Sequence, residues 1–132
     1  QMIDVVALVR DVTIRETLIR QTFAERVYGG HLPPQKTAAD MPMLEIRQRG
    51  GRLDYSSRVY QVSMQFKAYG ATEQAAMTAG RSVVDALNDK QHVHNTVLWS
   101  RLEEGTMPTT LQEPDTGWWF CLVFIRFFIK EL

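Results

Sequence analysis

Three histidines, one cysteine and a scatter of carboxylates are the groups of this 132-residue chain that could catalyse or hold a metal. His92 and His94 are two positions apart, and in an extended strand such a pair points to the same side, as two imidazole ligands would. No cysteine and no compact carboxylate set lies nearby to complete a coordination shell, so no metal site is expected. His31 stands alone in a glycine- and proline-rich stretch. Cys121 lies in an apolar run, can form no internal disulfide and reads as a small buried hydrophobe. Glu103, Glu104, Glu113 and Asp115 are spread along a loop-like segment. Paired-carboxylate chemistry needs a pocket that raises one pKa, and nothing here builds one. The chain contains no GxGxxG, P-loop, GxSxG, HExxH or CxxC pattern and no internal repeat. No enzyme activity and no cofactor are expected.

The composition fits one globular domain spanning 1–132, with 45% apolar and 23% charged residues. Fifteen basic and fifteen acidic side chains cancel. That balance counts against a free-standing DNA-binding domain, which carries a basic excess, and it permits self-association. The segment QMIDVVALVRDV lacks the basic start, long apolar centre and cleavage site of a signal peptide. The apolar run from Trp118 to Ile125 is far shorter than the roughly 20 residues of a spanning helix, so no membrane contact is expected. The lone cysteine and the missing signal suit an intracellular chain.

The elements that would position these side chains follow from periodicity. Val5, Leu8, Val9, Val12, Leu18, Ile19 and Phe23 recur at helical spacing, giving one long helix or two short ones with a break near Thr13-Ile14. Arg10, Arg15, Glu16 and Arg20 form its solvated face. Arg26-Val27-Tyr28 is a short extended piece, followed by a loop over residues 29–42. Met43–Arg49 alternates as a strand. Gly50-Gly51 and the polar residues to Ser57 connect it, as a projecting tip, to a second strand. That strand carries Tyr60, Val62, Met64, Phe66 and Ala68 on one side. A helix from about Glu73 to Asn88, capped by Thr72, buries Ala76, Ala79, Val83, Ala86 and Leu87. A strand over about His94–Leu102, a long loop over 103–117 and a strand over Trp118–Lys130 complete the chain. The expected fold is α+β: a small mixed, mostly antiparallel four-stranded sheet with two helices on one face, in the order α-β-β-α-β-β.

The last strand does not suit a half-exposed sheet. Cys121, Val123, Ile125, Phe127 and Ile129 make one apolar side. Phe120, Leu122, Phe124 and Phe128 make the other, interrupted by Arg126. A strand apolar on both sides is ordinarily covered on both, and two helices on one face leave the second bare. Burying one such side chain contributes about 1.5–3 kcal/mol. Oligomerisation through Trp118, Phe120, Leu122, Phe124 and Phe128 is therefore expected; the alternative is that one of the long loops folds over this side.

The layout resembles the tail terminator (tail completion, minor tail) proteins of long-tailed bacteriophages and related prophage particles. The residues that carry the resemblance are an N-terminal helix, Arg26-Val27-Tyr28 leading to Leu32-Pro33, and a Gly-Gly-containing hairpin. A strand ending in FKAYGAT (Phe66–Thr72) then feeds an alanine-rich helix closing on VVDALN (Val83–Asn88), before a proline-bearing loop and an aromatic strand. The resemblance implies a homo-hexameric ring on the end of the tail tube. Such a ring ends tube polymerisation, offers a surface to the head, and leaves a lumen through which DNA passes. It implies partners in the tail tube protein and the head–tail connector or neck proteins, a place in the virion tail, and assembly in the host cytoplasm. In that picture the tips holding Arg52, Leu53, Asp54, Tyr55, Met107 and Leu111 would meet the tube or neck. Arg47, Arg49, Gln61, Gln65 and Lys67 could line the lumen or form a solvated sheet face. The alternatives are a head–tail joining or neck protein, and a generic small intracellular oligomeric α/β binding domain. Light scattering is the first discriminator: an assembled species is expected, and a strict monomer at high concentration excludes the ring.

Overall fold

A computed structural model of the chain describes residues 4–54, 58–94 and 96–130. The helical N-terminal segment is two short helices, α1 (Val5–Thr13) and α2 (Thr17–Phe23). The Asp4 carboxylate caps α1 by accepting the backbone N–H of Ala7. β1 (Val27–Gly29) pairs parallel with the start of β2 (Met43–Asp54). β2 then runs antiparallel to β3 (Val59–Gly70), and β3 leads into α3 (Glu73–Leu87), capped by Thr72. A two-residue strand β4 (Lys90–Gln91), β5 (Val97–Leu102), β6 (Thr109–Gln112) and β7 (Trp119–Lys130) follow.

Among the described residues the sheet has seven strands rather than four, in the order β1-β2-β3-β7-β5-β4. β6 lies beside β7 on the same flank as β5, further along its length. The extra strands come from segments whose composition reads as loop. The threonines at 109 and 110 pair with Leu122 and Cys121, so much of the expected 103–117 loop is sheet. The expected break at Gly50-Gly51 is also strand. A β-bulge at Arg49 shifts the register between Gln48 and Gly50, and β2 continues pairing to Asp54. β5 begins at Val97 instead of His94, because His94 turns back to accept the N–H groups of Thr96 and Val97 at Nδ1.

The sheet has one covered face. Ile46, Phe66, Met64, Val123, Ile125, Phe127 and Ile129 are fully buried there against Val9, Ile19, Phe23, Val83 and Leu87 of the three helices. Cys121 belongs to this core, and burial pushes its thiol pKa up, as expected of an inert cysteine. The alanine stripe of α3 is as the sequence reads, but its closest approach to β7 is at Gly80. A Cβ built on Gly80 would stand 2.3 Å from Cys121 Sγ and 2.6 Å from Cys121 Cβ. Helix and strand can therefore touch only if residue 80 has no side chain. Gly80→Ala is expected to destabilise the fold by about 1–3 kcal/mol through overpacking, read as a lower denaturation midpoint with unchanged slope.

Candidate functional site

The opposite face of the sheet carries the other half of every strand pair, and it brings together residues that the sequence distributes between two roles. Across the sheet, Tyr69 lies beside Phe120, Lys67 beside Leu122, Gln65 beside Phe124, and Gln61 beside Phe128. Arg47 is opposite Gln65. The expected subunit-contact residues and the expected lumen residues thus form one continuous surface, aromatic on β7 and polar or cationic on β2 and β3.

One end of this surface is already covered within the chain. Met43, Tyr69 and Phe120 are buried there, with Leu32, Met41 and Trp118 packed on them. Trp118 meets Tyr69 edge to face with centroids 6.0 Å apart. The 29–42 loop is pinned in place: Leu32 N–H donates to Glu45 Oε2, Arg47 Nε donates to the Gly30 carbonyl at 2.9 Å, and Arg47 also contacts Glu45 and His31. Burial and the carboxylate of Glu113, to which its hydroxyl donates, push the Tyr69 pKa up. The loop alternative is realised at this end, and Phe120, 7% exposed, has little surface left for a neighbour.

The other end is open. Phe124 and Phe128 are half-buried, and Trp99 of β5 stacks on Phe128 with centroids 5.0 Å apart, while Leu122 packs on the covered cluster. Cations lie over the rings: here the Arg49 guanidinium is 4.1 Å from the Phe124 centroid and Arg101 5.6 Å from Trp99, and at the covered end Lys67 is 4.7 Å from Phe120. A ring quadrupole attracts such a cation by about 0.5–2 kcal/mol. A cleft of about 370 Å3, lined by Arg49, Gly50, Gly51, Gln61, Ser63 and Arg126, opens beside them. At its edge Glu103 takes hydrogen bonds from Ser63 and from Arg126 (2.7 Å), and lies 3.6 Å from Arg49. Burial alone would raise the Glu103 pKa, but Ser63, Arg126 and Arg49 outweigh it and hold the carboxyl below its ordinary range.

The three histidines are all engaged in structure. His92 Nε2–H donates to Ser100 Oγ at 2.7 Å, and Ser100 in turn donates to the Leu87 carbonyl at the end of α3. His92 also stacks on Phe127. His94 holds its own turn through Nδ1 and faces Asp11 at 3.4 Å through Nε2. His31 contacts Arg47. No group of three or more potential metal ligands occurs among the described residues. Replacing all three histidines would therefore test packing as much as ligand binding. Met107, next to β6, is 79% exposed, and Leu111, within it, is 44% exposed. Arg52, Leu53 and Asp54 pair as strand with Gln61, Tyr60 and Val59 rather than forming a loop tip. Tyr55 lies outside the described residues. Sequence reasoning missed Trp99, Arg101 and Glu103 as members of the open face. The alternation of 97–102 puts Trp99 and Arg101 on the side of Val97, which is buried in the core; a register shift between Val97 and Trp99 turns the two onto the open face instead.

No family profile matches the sequence, and no curated protein matches it. Among solved structures, the chain is similar to one described as the virion of a native gene transfer agent particle. The TM-score is 0.61 and the identity 12%, over 98% of this chain and 100% of that one. The likeness is one of fold. No described helix is long and apolar enough to cross a membrane.

Two expectations follow from the site's electrostatics. Burial, then Lys90 and His94, lower the His92 pKa to about 4 from the ordinary 6.5. The unfolded chain therefore takes up more protons at this position, and the stability it contributes is complete above pH 6.5 and lost as pH falls toward 4. Chemical denaturation across that range is expected to show a fall that His92→Gln flattens. Glu103→Gln is expected to cost about 2 kcal/mol at neutral pH, by leaving Arg126 and Arg49 without their shared carboxylate. A midpoint unchanged from the parent chain would contradict this.

Proposed function

We propose that this chain is a structural virion protein: a tail terminator that forms a ring on the end of a tail tube, stops further addition of tube subunits and offers the surface to which the head attaches. The observation that carries the reading is the fold likeness to a chain of a virion particle over essentially the whole length of both chains. A likeness confined to a common sheet-and-helix core would have left one of the two partly unmatched.

The reading is supported by what the chain builds apart from its core. The aromatic and cationic sheet face is the surface that suits contacts between subunits, because its Phe124 and Phe128 rings are screened by Arg49 and Arg101 instead of being closed over by a loop. The histidines and the free cysteine are occupied or buried, which suits a mechanism that is steric and interfacial rather than catalytic. In the ring, one rim would match the tube protein, the other the neck or connector proteins, and the lumen would pass DNA. Localisation to the tail of the virion, after assembly in the host cytoplasm, follows from that role.

Native mass spectrometry and electron microscopy of the purified chain test it. A hexameric ring with an open centre is expected. A monomer would return the assignment to a head–tail joining protein, and a two-fold dimer to a generic binding domain. In particles, removing the gene is expected to give tubes of uncontrolled length without heads. Tubes of normal length would overturn the terminator role.

A further inference from the structure

The open face is unevenly charged. Glu45 matches Arg47, and Glu113 is held by the buried Tyr69 hydroxyl. Among the described residues Glu103 is the one carboxylate shared by Arg49 and Arg126, so that cluster keeps a positive charge beside an open cleft. Lys67 and Arg101 have no ion-pair partner among the described residues and lie over aromatic rings. Arg101 Nε is buried without a hydrogen bond. Two copies meeting face to face would oppose like charges, which disfavours a two-fold pairing through this surface. What fits instead is a segment bringing carboxylates together with an apolar side chain.

The chain itself carries such a segment. The connection from β5 to β6, residues 103–108, has no lysine or arginine; its Glu103 turns to Arg49 and Arg126 of its own chain, which leaves Glu104 as its free carboxylate. Glu104 and Met107 are exposed. This connection leaves the sheet on the β5–β6 flank of β7, away from the β1–β2 edge. We propose that the β5–β6 connection of one copy docks on the open sheet face of the next. Met107 then rests on the rings of Phe124 and Phe128, and Glu104 enters the Arg49–Arg126 cleft. Thioethers pack well on aromatic rings, and the incoming carboxylate supplies the charge that Glu103 alone leaves unmatched. The docked connection and the receiving face are made of different residues, so the contact is head-to-tail, and it closes into a ring where the rotation between copies allows. A face taken by a neighbour does not line the lumen, so Arg47, Arg49, Gln61, Gln65 and Lys67 are assigned to the contact. This proposal rests on the ring reading above.

The test is a photo-crosslink from position 107. In Met107→Cys, a benzophenone maleimide labels the new thiol, while Cys121 is buried. Illumination of the assembled protein and mass spectrometry then locate the bond. Attachment to residues of β2, β3 or β7 on the open face of another copy is expected. Attachment to the helices, or none between copies in an intact ring, overturns the contact while the ring reading stands. In parallel, Glu104→Lys is expected to weaken assembly about tenfold and to leave the folded monomer's melting unchanged, since the residue is exposed. Where the label at 107 itself prevents assembly, this variant decides: undiminished assembly overturns the contact. A parent chain that stays monomeric at assembly concentrations sinks the ring reading, and the contact with it.

Discussion

Everything else in this fold answers to the need to cover β7. The strand is twelve residues long, lies between β3 on one side and β5 and β6 on the other, and is apolar on both faces. One face is solved by the three helices, whose Val9, Ile19, Phe23, Val83 and Leu87 close over it completely. The approach is close enough that α3 must present Gly80 where it crosses Cys121. The second face is solved in pieces. Trp118 and the pinned 29–42 loop close one end over Phe120, where Lys67 also lies on the ring, and the other end is screened by the guanidinium groups of Arg49 and Arg101. A cation over a ring keeps its outward side hydrated while shielding apolar area.

The core was legible in the sequence because its periodicities are clean. The alternation of Val59–Ala68 and the alanine stripe of α3 were each enough to fix type, extent and buried side, and the two-sided apolarity of 120–129 was enough to mark a long strand. The sequence also posed the correct physical problem, a strand too apolar for a half-open sheet. What it could not give was the division of the answer. A loop covers Phe120, while Phe124 and Phe128 stay open, because Arg47 reaches back to the Gly30 carbonyl and draws the 29–42 segment over one end. Contacts of that kind join residues 17 apart and leave no mark on local pattern.

The missed strands have a common cause. β4 and β6 are two and four residues long, too short for alternation to be read, and β6 is polar because it lies at the flank of the sheet. Their pairing is set by β7, which is long enough to take β5 and β6 end to end on one flank. The candidate surface suffered in the same way. Arg47, Lys67 and Gln65 on one pair of strands and Phe124 and Phe128 on another were visible separately. Strand order alone makes them neighbours, and here β3 and β7 are adjacent although some fifty residues of chain, including α3, separate them.

Gly50-Gly51 is where sequence and site meet most closely. Two glycines after an alternating strand read as a turn, yet the strand absorbs Arg49 as an extra residue and continues. Because side chains alternate in strict twos, the insertion changes which residue stands opposite Ser63: it is Gly50, which has none. A Cβ there would meet nothing within 4 Å, so the glycine leaves an empty place on the open face rather than relieving a clash. Gly51 next to it is of the other kind, since a Cβ would stand 2.8 Å from the Gln61 carbonyl oxygen. The bulge thus holds Arg49 over Phe124 and opens the cleft in which Ser63, Glu103 and Arg126 meet. A regular β2 with a side chain at 50 would have filled that space and left the face flat. The irregularity that defeats the strand reading is also what gives this surface a recess of a size and charge to take a carboxylate.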